Sequence, residues 1–564
     1  MNKVIFALSL ILAIGLLSNG AYAACVTPAN NTAGFLVNNT TTLCGGVYYN
    51  NTTITINNDS LIFDCNSSTL DGFDDTKNAI TVSNHDDVTI QYCYIINYSA
   101  GIVAADADNL TIFDNEINDC DMYAINTYRT TNSTWSSNQI FGLGDTAYAI
   151  RLDDTDVNIT ISDSYMEDLT DYGIVITQND NFIHILNNTI NYTAGGTAGR
   201  CIYNTGGDNV YIYNNTLSEC GYGIEVTNIT NITIDNNEIY TNLDSGISIL
   251  NGTANSTFMI ITNNKIYDDG LECVALDSIS TGLIQNNSLY LCGQLTLGDA
   301  ALWIDDSKDT QILGNRIYSS DDDGIRLANV TTFTITGNNI SFNGDDGIQF
   351  SENATLISMI SNTIQNNTMD GIYSTLNYLV NSYITSNNIY DNLNNGIDIP
   401  CESNVSVNLS IASNWINNSG GNGIVIEDCG NVTATYNNAT FNTGDGILTK
   451  GLGIYVTGGF YCNNSATWDV EDNGFTNFFT LVSCDTSSGA TCTYTCVGPP
   501  TGCTQLSASD KLAFEMGFLI FMIILAAFPL IASKGDLSLG FIIPWILAII
   551  VIAVFAPSLF TMLC

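Results

Sequence analysis

Positive charge is nearly missing from this chain. Of 564 residues, 12 are Lys or Arg against 56 Asp or Glu, a formal net charge of −44. Such a surface repels nucleic acid, so no nucleic-acid partner is expected. It also repels anionic polysaccharides unless a divalent cation screens the contact. Histidine is scarcer still. The two present, His85 and His184, fall about four repeats apart in the pattern read below, on the order of 20 Å at the spacing of sheet strands. They cannot share a metal ion or work as one acid/base pair, which disfavours a histidine-rich copper function. No ten-residue helical pattern separates the strand-like stretches, so βαβ crossovers are excluded.

What is present is a repeat. A small residue followed by aliphatic–x–aliphatic recurs about every 24 residues at sixteen positions, from Ala79-Ile80 and Gly101-Ile102 through Gly324-Ile325, Gly347-Ile348 and Gly371-Ile372 to Gly446-Ile447. A second beat, Asn-x-aliphatic or a bare Asn, falls between, at Asn115, Asn138, Asn188, Asn215, Asn237, Asn264, Asn287, Asn315, Asn338, Asn362, Asn387 and Asn414. Short alternating stretches such as Thr332-Phe333-Thr334-Ile335 have strand periodicity, and Asn, Asp, Gly and Thr clusters between them are turn chemistry. Three short strands per repeat without a helix fit one coil of an all-β, parallel β-helix solenoid. At ~4.8 Å per coil the sixteen marks span on the order of 75 Å. The aliphatics then stack inward and the middle residue points out. The small residue allows a sharp corner or a positive φ. The Asn column is expected to form an internal ladder.

These motifs, with Gly46-Val47-Tyr48-Tyr49, Leu61-Ile62-Phe63-Asp64 and Thr69-Leu70-Asp71-Gly72 at the start, resemble the right-handed parallel β-helix proteins of pectin-lyase-like fold across residues 26–460. That resemblance implies a single-stranded right-handed solenoid. It does not choose among polysaccharide lyases, glycoside hydrolases, epimerases, copper-site accessory proteins and non-enzymatic adhesins.

Five segments are expected. Residues 1–23 are a secretory signal: Met1-Asn2-Lys3, an apolar run to Leu17, then Ala21-Tyr22-Ala23. A lipid anchor at Cys25 is disfavoured by Tyr22, where a small aliphatic residue belongs. Residues 24–78 form an N-terminal cap with the first coils, 79–460 the repeats, and 461–510 a cysteine-rich cap or stalk. Residues 511–564 form a transmembrane hairpin. Its apolar runs, Leu512–Ile531 and Leu539–Leu563, are long enough to cross a bilayer, and Lys534 lies in the turn expected inside. The membrane is therefore an expected partner.

There are 17 cysteines. Sixteen fall between Cys25 and Cys503, an even set in an exported region where disulfides are expected. Cys201/Cys220 and Cys273/Cys292 share one spacing, Cys401/Cys429 lie about a coil apart, and Cys484, Cys492, Cys496 and Cys503 crowd the stalk. Abundant Asn-x-Ser/Thr sites, among them Asn231, Asn329, Asn408 and Asn463, suggest a glycosylated surface. The composition points to an archaeal envelope protein with its ectodomain outside the cell.

Register supplies the candidate site. The outward residues of successive first strands are Trp303, Arg326, Gln349, Tyr373 and Asp398. Just before the corner stand Asp323, Asp346 and Asp370. Stacked about 5 Å per rung, neighbouring carboxyls match retaining glycosidases, and those two rungs apart reach the inverting range. Asp323, Asp346, Asp370 and Arg326 are thus the candidate catalytic residues. Trp303, Gln349, Tyr373 and Asp398 are the candidate sugar contacts. The same three Asp are a candidate calcium site, since closely spaced carboxylates raise one another's pKa or recruit a cation. Gly344-Asp345-Asp346-Gly347 resembles part of the polygalacturonase acidic motif, but that family's Gly-His-Gly and Arg-Ile-Lys motifs are missing. The expected role is glycan binding, adhesion or structure at the cell surface. The alternative is a surface lyase or hydrolase built on the Asp column.

Overall fold

A computed structural model describes residues 25–496, apart from 28–33, 50–52, 145–146, 192–198, 251–257, 296–298, 376–378, 466–467 and 475. The chain divides into two compact units, Met1–Tyr494 and Thr495–Cys564. All regular elements among the described residues are strands. They form the coils of a parallel β-helix within the first unit.

Every small–aliphatic mark of the sequence falls in one register. The first aliphatic of each triplet stacks without a slip: Leu302 pairs with Ile325, Ile325 with Ile348, Ile348 with Ile372 and Ile372 with Ile397, all parallel. Second strands (Thr334–Thr336 on Ser358–Ile360) and third strands (Asn339–Ser341 on Thr363–Gln365) stack in the same way. In first strands such as Ile325-Arg326-Leu327 the aliphatic ends are buried and the middle residue faces out, whereas in second and third strands such as Thr334–Thr336 and Thr363–Gln365 the middle residue is the buried one. Such strands fill a continuous interior at ordinary packing density, and each coil is supported by its two neighbours. The stacking starts before the first mark, since Phe35–Val37 pairs with Ile54–Ile56. It continues past residue 460, where Val470–Asp472 pairs with the strand Ile447–Leu452.

The Asn ladder is present. Asn338 Nδ2 donates to Asn362 Oδ1 at 2.9 Å, and Asn362 to Asn387 at 2.9 Å. Each also caps a strand carbonyl, as Asn338 does for Ile312 at 2.8 Å. Ser164 replaces Asn in one rung and keeps the chain of bonds.

Two expectations change. The corner glycines Gly324, Gly347 and Gly371 do not adopt positive φ. They are small because the next rung is close: a Cβ on Gly347 would lie 2.4 Å from Ile364 Cγ2 and 2.6 Å from the Gly371 carbonyl. Positive φ falls instead on the residue before each ladder Asn, for example Asn187, Asn214, Asn236 and Asn263 at 56–57°. Asn tolerates that region better than other L-residues.

The second concerns cysteine. Cys201–Cys220, Cys273–Cys292 and Cys401–Cys429 are disulfides, as are Cys25–Cys44, Cys65–Cys93 and Cys484–Cys492. Cys120, however, is a free buried thiol, so the sixteen do not all pair. In three of the bridges the partners are 19 residues apart. The residue at that distance before Cys120 is Gly101, which offers no sulfur.

Among the described residues no helix is long and apolar enough to cross a membrane. The signal segment 1–23 and both apolar C-terminal runs lie outside the described residues.

Candidate functional site

The predicted outward file is continuous. Trp303 pairs with Arg326, Arg326 with Gln349, Gln349 with Tyr373 and Tyr373 with Asp398. All five are half-buried, on one face of the first sheet.

Beside it, Asp323, Asp346 and Asp370 form the expected column, but one that is turned inward. Their exposures are 0%, 3% and 4%. Asp323 Oδ1 accepts the Asp346 backbone N–H at 2.9 Å, and Asp346 Oδ1 accepts that of Asp370 at 2.8 Å. Asp370 Oδ1 accepts the Asn395 N–H at 2.6 Å, and the column continues in Asn422 and Asp445. These carboxyls therefore close the corner as the Asn ladder closes the next one.

The second oxygen faces the outward file. Asp323 Oδ2 accepts from Arg326 Nε at 2.8 Å, and Asp346 Oδ2 from Gln349 Nε2 at 3.3 Å. Two rungs further, where the corner residue is Asn395, its Nδ2 donates to Asp398 Oδ2 at 2.9 Å. At 323, 346 and 395 the corner residue thus holds the outward residue three positions later. An acid holds a donor and an amide holds an acid.

Burial is the main cause that raises these carboxyls, with repulsion from neighbouring acids adding to it. Asp323 is pushed up to about 8, Asp346 and Asp370 to about 7, and Asp398 to about 6. Around Asp323 the Arg326 guanidinium opposes the rise.

Beside this face, the carboxyls whose ligand atoms lie within 4.8 Å of one another are not the predicted column but Asp322, Asp323 and Asp345. Three carboxylates are hard oxygen donors suited to calcium. Arg326 already places a guanidinium there, paired with Asp322 and 2.7 Å from Asp323. Asp322 escaped the sequence reading because it sits one residue outside the column.

Sequence reasoning also missed the tyrosine files. Tyr123, Tyr148, Tyr172 and Tyr203 stack with centroids 5.0–5.6 Å apart, with Arg151 and Arg200 over their rings. Tyr240, Tyr267, Tyr290 and Tyr318 stack at 4.8–5.2 Å on the third sheet. The signal was available: Tyr precedes the small residue in Tyr148-Ala149 and Tyr172-Gly173, and ends the third strand in Ile239-Tyr240 and Ile317-Tyr318.

The sequence matches the family described as right-handed beta helix region over residues 45–217, 200–355 and 300–463. No curated protein matches it. Solved structures with a similar chain path include the periplasmic alginate epimerase AlgG, at 11% identity, covering 78% of this chain and 78% of that one, with a TM-score of 0.25. Tailspike protein 3 of bacteriophage CBA120 is 11% identical, over 81% of this chain and 57% of that one, with a TM-score of 0.28. PfbA, a surface adhesin of Streptococcus pneumoniae, is 12% identical over 76% and 83%, with a TM-score of 0.26. At such values the likeness carries no argument about activity. With the family match covering most of the coils, the chain belongs to the right-handed β-helix family.

Proposed function

We propose that this chain is an exported β-helix that binds glycan at the cell surface, held there by the two C-terminal apolar runs. The observation that carries this reading is the pairing of corner and outward file. Asp323, Asp346 and Asn395 fix Arg326, Gln349 and Asp398 in place, with Trp303 and Tyr373 as ring surfaces in the same file. Side chains held by neighbours are preorganised for a ligand and lose little entropy on binding it. The disulfides agree with an oxidising compartment. The test is a glycan array probed with the full-length chain, then with Tyr373→Ala and Gln349→Ala. Binding should fall tenfold or more in each. A glycan bound equally well by both variants would reject this face as the binding site.

A second reading has one observation in its favour. The second oxygens of Asp323 and Asp346 face the outward file, and burial raises both carboxyls toward the neutral range in which a general acid works. Under it, the chain is a surface polysaccharide lyase or hydrolase using Asp323, Asp346, Asp370 and Arg326. Cleavage of any polysaccharide by the native chain but not by Asp346→Asn would favour it. An intact panel of sugars, with and without calcium, would remove it.

A further inference from the structure

A groove of about 380 Å³ opens far from the Asp column, on the third sheet near the N-terminal end of the coils. That volume lies in the range of small-molecule sites, about 300–1,000 Å³. Its floor is one file of outward residues on successive rungs. Thr69 pairs with Tyr94, Tyr94 with Glu116, and Glu116 with Gln139. Tyr92, at the corner beside the groove, is 38% exposed.

This place combines a groove with a tyrosine that has no aromatic neighbour in its own file. In the Tyr240–Tyr318 file each tyrosine lies on the next, within 1–11° of parallel, so the inner ring faces are already covered. Tyr94 has Thr69 on one rung and Glu116 on the other, neither of which carries a ring. Its phenol is held from the side: Asn118 Nδ2 lies 3.2 Å from Tyr94 Oη and 3.2 Å from Glu116 Oε1. One amide therefore fixes both the ring and the carboxylate. Gln139, next along, is exposed and brings an amide that both donates and accepts.

A half-buried groove-lining ring with no aromatic neighbour in its file, a fixed carboxylate and an exposed amide, within three rungs, form a set that recognises a polyol. The apolar C–H face of a sugar packs on the ring, and its hydroxyls donate to the carboxylate and exchange bonds with the amide. Glu116 and Asp114 line the groove, and no Lys or Arg does. An acidic sugar would meet only like charge. We infer that this groove is a second carbohydrate subsite, specific for neutral sugar units. It deepens the glycan-binding reading above and rests on it, but it uses a different sheet and different residues.

The test uses the full-length chain and isothermal titration with neutral oligosaccharides (maltoheptaose, cellopentaose, mannopentaose) and the acidic oligomers of galacturonate. Three variants are compared: Tyr94→Ala, Gln139→Ala and, on the other face, Tyr373→Ala. The expected result is a neutral oligosaccharide whose affinity falls at least tenfold in Tyr94→Ala and Gln139→Ala, with the galacturonate oligomers giving no heat at this site. Circular dichroism checks that each variant is folded, and Tyr94→Phe, which keeps the ring, should bind within about threefold of the native chain. Should neutral sugar binding survive Tyr94→Ala and Gln139→Ala but vanish in Tyr373→Ala, the groove is overturned and the first face stands. Binding only of acidic oligomers also overturns it. Heat from none of the sugars removes the groove and the glycan-binding reading together.

Discussion

Replacing Asp346 by Asn and by Ala separates what the corner carboxyl does for folding from what its charge does. Ala removes the acceptor of the Asp370 N–H, now 2.8 Å from Asp346 Oδ1. A buried N–H left without a partner costs about 1–3 kcal/mol. Asn keeps an oxygen there. The column already uses Asn in this role, because Asn395 Oδ1 accepts the Asn422 N–H at 2.8 Å and Asn422 Oδ1 that of Asp445 at 2.6 Å. What Asn removes is the ionisation. Burial pushes the Asp346 carboxyl up to about 7, while in an unfolded chain it titrates near 3.9. Between about pH 4 and 7 the unfolded chain releases this proton and the fold retains it. Native stability from this group therefore falls as pH rises through that window and levels off above it. A gap of about three units corresponds to ~4 kcal/mol. The Asp346→Asn variant would escape that loss. It should thus match the native chain near pH 4 and exceed it at pH 8, while the Ala variant stays about 1–3 kcal/mol below the Asn variant at every pH. Coils of a solenoid open locally, so the assay is amide exchange of peptides covering residues 346–372 at both pH values, corrected for intrinsic rates. Equal protection of the Asn and Ala variants at pH 4 would refute the acceptor role. An Asn variant that gains nothing over native at pH 8 would refute the burial of charge.

Three further outcomes follow from the same geometry. Gly347→Ala should lower stability by about 1–3 kcal/mol through overpacking, since its Cβ meets Ile364 and the Gly371 carbonyl; an unchanged denaturation midpoint would contradict that. Arg326→Gln leaves Asp322, Asp323 and Asp345 without their guanidinium, so calcium should raise its melting temperature more than it raises that of the native chain, because binding to the folded state alone stabilises it. An equal rise in both places the ion elsewhere. The Cys120 thiol, pushed up to about 12 by burial, should resist iodoacetamide at pH 8 in the native chain and react once unfolded, as read by peptide mapping; rapid native labelling would show an open coil there.

The fold was legible because its rules are local and repeated. Ile325, Ile348 and Ile372 announce their stacking by spacing alone, and so do Asn338, Asn362 and Asn387. The site was legible only as columns. Spacing placed Asp323, Asp346 and Asp370 in one file but could not say which way each oxygen turns. That depends on the corner backbone, whose N–H groups need acceptors. Cys120 misled for a related reason: an even count suggests pairing, whereas pairing requires a second sulfur at the right rung. Tyr94 carried no repeat signal at all. Its significance lies in the absence of a ring on the neighbouring rungs, which becomes visible only once the rungs are aligned.

Why the corner holds Asp at all is a question the ladder itself raises. Asn395 and Asn422 perform the same backbone task without a charge to bury. Three successive acids at 323, 346 and 370 therefore cost stability near neutral pH that asparagine would not. The outward file supplies the reason for two of them. Arg326 and Gln349 bring N–H donors to the corner, and a carboxylate accepts on both oxygens while an amide offers an acceptor on one side only. Where the outward residue is itself an acid, as Asp398 is, the corner residue is Asn. At 323, 346 and 395 the choice between Asp and Asn matches the chemistry of the outward neighbour; at 370, 422 and 445 the outward residues are Tyr373, Val425 and Leu448, and the match does not extend to them. At 323 and 346 the burial of a carboxyl fixes Arg326 and Gln349, and at 395 a neutral amide fixes Asp398, so all three outward side chains are held in place by the corner beside them.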